Sequence, residues 1–281
     1  MLPVALALAS AALFGAMTVA LRIGLLRYPG AALAAAATVV SGLAVALVAA
    51  GVEAARGDAH LSGIWVFALA GMLAPGGSQI LFTLAIRDAG ASRASVAVGA
   101  APLVSVAIAL AVLGEPARPL LIAGALLIVG GGLALALDRR NPEHLRRIGL
   151  LYAAAATVLF ATRDNIVRSL SDGDVPPSTA MATTLLVGLV FALAFARGLP
   201  SWQRVVAFAP AGLCIGLSYV CLFEAFFHGR VSLVAPLVAT ESLWGVGFSV
   251  IFLRRTELVG ARLVLGAALI VAGGVLIGLG R

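Results

Sequence analysis

Four ionisable side chains lie well inside apolar runs of this chain: Arg163, Asp164, Glu224 and Glu241. A charge set among apolar residues is costly, and within a membrane it faces a cavity, a pathway or an oppositely charged partner. Their chemistry is that of holding a ligand or exchanging a proton. Arg163 and Glu241 are the candidates for contact with a substrate or a coupling proton. The competing reading is an ion pair that staples two helices and meets no ligand. Measured from a common membrane face at the helical rise, Arg163 lies ~10 Å deep, Glu224 ~6 Å and Glu241 ~15 Å, depths an arginine side chain can bridge. Asp164 and Arg168 stand four apart, a spacing that lets them pair on one helical face. Glu224 and Arg168 lie close enough to helix ends to reach the headgroups.

A second group of polar residues sits beside an interruption. Ala74-Pro75-Gly76-Gly77 falls in mid-run, followed by Ser78, Gln79 and, one turn on, Thr83. Proline removes a backbone donor and clashes with the preceding turn, so Pro75, Gly76 and Gly77 are candidate hinge residues. Ala209-Pro210-Ala211-Gly212 repeats the pattern in the second half, with Ser218 and Tyr219 downstream. Interruptions at matching places in two halves point to a binding site, and Ser78, Gln79, Thr83 and Tyr219 join the substrate candidates. Pro102 and Pro236 are expected to bend their helices as further hinges. Trp244, three residues after Glu241, could wall an apolar cavity or simply pack. His60, His144 and His228 sit at or beyond the ends of apolar runs, and no metal site or cofactor is expected. Cys214 and Cys221, seven apart, would be ~10 Å distant on a helix, too far for a disulfide.

The elements that must position these residues are greasy. The 281 residues are 62% hydrophobic and 11% charged, with mean hydropathy +1.11. A soluble domain carries about 25% charged residues. Lipid is the implied solvent. Net charge is +7, yet the arginines gather in gaps between apolar runs, so no nucleic-acid partner is expected. Apolar runs give ten spans: 3–25, 31–51, 62–87, 91–113, 117–137, 149–170, 177–197, 204–228, 231–253 and 258–280. Each approaches the ~20 residues that cross a bilayer. The N-terminal run has no positive start and is long enough to span, so it reads as the first helix and not as a signal peptide.

The spans fall into two sets. Glu115, Gly124, Gly131 and Gly132 match Glu257, Gly266, Gly273 and Gly274 in step; Phe14 to Arg22 matches Phe160 to Arg168; and the two Ala-Pro-x-Gly segments occupy spans three and eight. The organisation expected is therefore a first five-helix repeat over 1–137, a connecting loop over 138–147 and a second repeat over 148–281. Five is odd, so the second repeat must enter from the opposite side. The fold class expected is all-α integral membrane, with ten transmembrane helices as two inverted repeats around a central cavity.

With these features the chain resembles the EamA-type carriers of the drug/metabolite transporter superfamily. The segments that carry the likeness are 89–115 and 229–257, each a small-residue start, a mid-helix proline or glutamate, and an apolar run closed by glutamate. In the second copy, Glu241 is followed by Ser242 where proline is usual, and Phe14-Gly15 stands where Trp-Gly is frequent. The resemblance implies ten helices around a cavity and export or exchange of small metabolites. No nucleotide-binding motif is present, so a secondary carrier is implied.

The function expected is secondary transport of a small polar or amphipathic metabolite by alternating access, in the lipid bilayer of a cell membrane, a bacterial inner membrane being the expected case. Proton coupling is left open. The alternative class is a membrane enzyme acting on a lipid-linked substrate; no carboxylate pair with histidine near the headgroups supports it. Orientation stays in conflict. Thirteen arginines follow or flank odd-numbered spans and five follow even-numbered ones. That bias puts both termini outside. The resemblance implies both inside.

Overall fold

The structure is a computed structural model describing residues 2–56, 62–104, 107, 118–136, 146–169, 175–229, 234, 237–253 and 260–279. Among them every regular element is helical: α1 (Leu2–Arg27), α2 (Ala31–Ala55), α3 (Ile64–Gly71), α4 (Ser78–Ala89), α5 (Ala91–Val98), α6 (Pro119–Ala136), α7 (Ile148–Ser169), α8 (Pro177–Ala196), α9 (Trp202–His228), α10 (Glu241–Phe252) and α11 (Ala261–Leu279). The stretch Met72–Gly77 joins α3 to α4 across a kink at Ala74.

Among the described residues seven helices are long and apolar enough to cross a membrane, with 64–89 taken as one. Three further apolar helices, Ala91–Val104, Pro119–Gly132 and Glu241–Phe252, are shorter within the described residues, and they occupy expected spans four, five and nine. The outward positions carry exposed Leu, Val and Phe, among them Val48, Leu151, Val190, Phe195 and Ile251. Buried hydroxyls turn inward on their own helices: Thr18 donates to the Phe14 carbonyl at 2.9 Å and Thr38 to that of Ala34 at 2.9 Å. Back-bonding of this kind satisfies a hydroxyl where no water can.

The two halves do not pack as separate bodies. The principal pairings are α1 with α9 and α10, α2 with α8 and α9, α4 with α7, α5 with α10, and α6 with α11. Each joins an element before the midpoint to one after it. Helices α6 and α11 meet along glycines: a Cβ on Gly124 would lie 2.6 Å from the Gly273 carbonyl oxygen, and one on Gly131 would lie 2.6 Å from that of Gly266. Numbers rise along α6 as they fall along α11, so the two run antiparallel at backbone contact. Small residues allow this approach where lipid supplies no hydrophobic drive between helices.

The expected interruption of span three is present. Ala74 leaves the helix at φ −145°, ψ 122°. The Pro75 ring packs on α8, where a Cβ on Gly188 would stand 2.5 Å from proline Cγ. The corresponding interruption of span eight is not: Pro210 lies inside the continuous α9. One missing donor bends a helix without ending it, and Gly212 serves close packing on α2, a Cβ there falling 2.5 Å from the Thr38 carbonyl oxygen. In span four the regular helix is interrupted after Val98 and resumes over 101–104, a helical turn that contains Pro102. Proline clashes with the carbonyl four residues back, which here is that of Val98. Pro236, Glu115 and Glu257 lie outside the described residues.

Candidate substrate chamber

A chamber lies between the halves. From the first half α1 contributes Ser10 and Phe14, while α5 and the turn after it contribute Val98, Ala101 and Pro102. From the second half α7 contributes Phe160, Ala161, Arg163, Asp164 and Asn165; α9 contributes Ser218, Tyr219, Leu222 and Phe226; and Val238, Ala239 and Glu241 close the ring at the start of α10. About 50 Å³ is open to the centres of water-sized molecules. One water needs about 10–15 Å³ on that measure, so the space admits a few waters or a small polar group.

Three of the four charges picked out by sequence meet here. Arg163 is buried, and its Nε stands 2.8 Å from Asp164 Oδ1. Neither atom makes a well-directed hydrogen bond, because neighbouring positions on a helix point about 100° apart. The guanidinium lies over the Tyr219 ring at 4.5 Å from its centre and over Phe223 at 5.9 Å. Planar, weakly hydrated and always charged, a guanidinium suits an aromatic face in a dry site. Among the described residues Asp164 thus pairs with its neighbour; the side chain of Arg168, the partner expected from spacing, lies outside the described residues.

Glu241 is the first residue of α10 and only 6% exposed. Among the described residues its carboxylate makes no hydrogen bond and no ion pair within 4.0 Å. The backbone N–H groups near it are spent: Ser242 donates to the Ala239 carbonyl at 3.3 Å, and Leu243 and Trp244 donate to that of Thr240 at 2.9 and 3.2 Å. Glu224, the fourth charge, lies outside the chamber, half-buried, with His228 Nδ1 3.3 Å from its carboxylate.

Other expected site residues are placed differently. Ser78, Gln79 and Thr83 are fully buried on α4, yet none lines the chamber. Thr83 donates to the Gln79 carbonyl at 2.6 Å, whereas Ser78 Oγ and both polar atoms of the Gln79 side chain have no hydrogen-bond partner. Trp244 is exposed and packs beside Phe248, with ring centres 5.7 Å apart, on the outer side of α10. Three residues carry a helix ~300° round, and Glu241 takes the inner face. Both cysteines are unpaired.

Sequence reasoning missed Ser10, Phe14, Phe160, Asn165 and Phe226. Ser218 donates to the Ser10 carbonyl at 2.9 Å, and the two hydroxyls are 3.0 Å apart, a clasp between α1 and α9. Phe14, Phe82 and Phe160 form a triangle with centres 5.3, 5.7 and 6.0 Å apart, closing the chamber floor. Phe14 and Phe160 were legible only as matching positions of the repeat; nothing in their type set them apart from other core phenylalanines.

On the opposite face the ends are tied. Arg22 is buried and donates from Nη1 to the carbonyls of Ile86 at 3.2 Å and Arg87 at 3.1 Å, at the C-terminus of α4, where positive charge is favoured. The Arg146 backbone N–H reaches the Asp88 carbonyl at 2.8 Å.

The sequence model of the EamA-like transporter family matches residues 1–137 and again 147–279. The chain belongs to the EamA-like transporter family. Two matched segments covering the two halves agree with the internal repeat read from glycine and phenylalanine spacing. A solved crystal structure of another protein superposes with a TM-score of 0.60 at 22% identity, covering 95% of this chain and 96% of that one, a likeness of fold. A search of curated proteins found no match. This EamA-like chain is therefore a multi-span membrane protein of a transporter family.

Proposed function

We propose that this protein is a secondary carrier that exports or exchanges a small polar or amphipathic metabolite by alternating access, with the chamber between α1, α5, α7, α9 and α10 as its substrate site. The observation that carries this reading is Glu241. A carboxylate without an ion-pair partner, buried at the junction of both halves, is too costly to keep as packing. Arg163, Asp164 and Tyr219 are assigned to the same site. Ser78, Gln79 and Thr83 are assigned to the break in span three, where an unpartnered buried amide raises the energy of this arrangement relative to one that pairs it.

Ten crossings as two inverted five-helix repeats are the topology we assign. It is supported by the exchange between sequence-equivalent glycines: Gly124 faces Gly273 while Gly131 faces Gly266, each pair the image of the other. A two-fold axis in the membrane plane produces that pattern. The tied face at Arg22 and the chamber reaching towards the C-terminal end of α9 then describe one of two alternating states. A cell membrane, the bacterial inner membrane in the expected case, is the assigned location.

The test is flux in proteoliposomes containing the purified full chain. Solute movement down an imposed gradient without ATP is expected, and Glu241→Gln is expected to reduce it while thermal stability is kept. Undiminished flux in that variant removes Glu241 from the site. Repeating the assay with and without a pH gradient reads proton coupling.

A further inference from the structure

We propose that Arg27 and Arg204, gathered on the Tyr28 ring where α1, α2 and α9 meet, hold the phosphodiester headgroup of an anionic membrane lipid. The site lies on the tied face, and none of its residues lines the chamber. It stands independently of what the carrier moves.

Tyr28 stands between the end of α1 and Pro29, which disfavours helix at the residue before it. The Arg27 guanidinium carbon lies over the Tyr28 ring at 5.5 Å from its centre, and that of Arg204, in the first turn of α9, lies 5.5 Å from the same centre. One aromatic face attracts a cation. Two guanidiniums brought to one ring also repel each other, and no acid offsets them. Among the described residues neither arginine makes an ion pair. Residues 1–52 and 177–223, which hold α1, α8 and most of α2 and α9, contain no Asp or Glu. The helix starts add to the imbalance. Arg204 Nη2 is 3.9 Å from where a Cβ on Gly30 would stand, at the beginning of α2. Neither α2 nor α9 has an acid in its first turn or a side-chain cap, so their free N–H groups present further positive potential. Arg204 Nε is shut off from solvent without a hydrogen-bond partner. A phosphodiester supplies one negative charge and the acceptor oxygens that a guanidinium fork matches.

The surroundings favour a lipid as the source of that phosphate. Ile23 and Leu26 on α1 and Val206 on α9 are exposed within about a turn of the arginines, towards the bilayer centre. They offer acyl chains a bed below the headgroup. Trp202, exposed at the start of α9, stands at the level where tryptophan anchors to the interface. Basic recesses between spanning helices take anionic headgroups in this way.

Native mass spectrometry of the delipidated full chain, titrated with phosphatidylglycerol and with phosphatidylcholine of the same acyl chains, tests the proposal. Phosphatidylglycerol is expected to bind about fivefold or more tighter, since the choline of the other lipid offsets its phosphate. The double variant Arg27→Gln/Arg204→Gln is expected to cut that preference to less than about twofold. Arg27→Gln alone, at an exposed position, is expected to lower it by about threefold or more, and it is the readout should the double variant fail to fold. Arg56→Gln, exposed at the other end of α2, is expected to leave the preference unchanged. Glycerophosphoglycerol, the same headgroup without chains, is expected not to displace the lipid. Equal binding of the two lipids overturns the proposal. A preference that survives loss of both arginines, or that falls as far in Arg56→Gln, overturns it in favour of diffuse attraction to basic surface. Displacement by glycerophosphoglycerol at the lipid's own affinity overturns it in favour of a soluble phosphodiester ligand. None of these outcomes bears on the flux assay, which decides the carrier reading by itself.

Discussion

Phe14 and Phe160, equivalent positions of the two repeats, meet edge to face with ring centres 5.7 Å apart. Both residues line the chamber, one from α1 and the other from α7. Both rings are nearly fully buried, and Phe82 of α4 completes the triangle. Alanine at either position is expected to destabilise the protein by about 3 kcal/mol. That is the low end for Phe→Ala, because lipid lowers the transfer contribution. Thermal melting in detergent measures it, and flux is expected to become leaky to small solutes.

Adjacent glycines of α6 should respond with opposite signs. Alanine at Gly131 places a methyl 2.6 Å from the Gly266 carbonyl oxygen, and backbone cannot move aside cheaply. Alanine at Gly130 meets nothing within 4 Å. The melting temperature should fall for Gly131→Ala. It should hold or rise for Gly130→Ala, since alanine favours a helix by up to about 1 kcal/mol.

The Arg163–Asp164 pair predicts non-additivity. Arg163→Gln leaves the partly buried Asp164 carboxylate without that cation, at a cost of about 1–3 kcal/mol. Asp164→Asn strands the guanidinium in turn, though its seat on Tyr219 softens the loss. The double variant should recover much of the stability, which a double-mutant cycle on thermal unfolding resolves.

The break in span three depends on room for Pro75. Alanine at Gly188 would drive a methyl to 2.5 Å from proline Cγ and 3.1 Å from the Gly76 nitrogen. Gly188→Ala is expected to slow flux with little change in ligand affinity, because the contact is remote from the chamber. Equal losses in both would place the break in the binding site itself.

Trp244 supplies a negative control. It lies on the outer side of α10, so Trp244→Leu is expected to leave flux in proteoliposomes unchanged, while Glu241→Gln, three residues away, reduces it.

The charged candidates were legible because lipid makes an idle charge expensive. Arg163, Asp164 and Glu241 could be picked out by type and depth alone, and they converge on one chamber. The break at Pro75 was legible for a similar reason, since proline and paired glycines leave little choice to the backbone. Pro210 misled, because a single proline permits either a bend or an interruption and neighbouring helices select between them. Ser78, Gln79 and Thr83 were marked by adjacency to the break, which says nothing about which face of α4 looks at the chamber. The side of α10 that Trp244 takes was open in the sequence for the same reason, an ambiguity of rotation. Phe14, Phe160 and Phe226 carry no chemical mark that separates a chamber wall from a core.

The sequence by itself determined that the chain lives in lipid, that it is built twice over, and that a few charges are held at depth. Those follow from composition and spacing, which act along the chain and survive any rearrangement of the helices. The tertiary structure alone decided which faces meet: that the halves interdigitate, that Arg163 lies over Tyr219 in the chamber wall, and that Glu241 stands there without an ion-pair partner among the described residues. Helix rotation and cross-chain pairing are set by packing between segments far apart in sequence, and no local pattern encodes them.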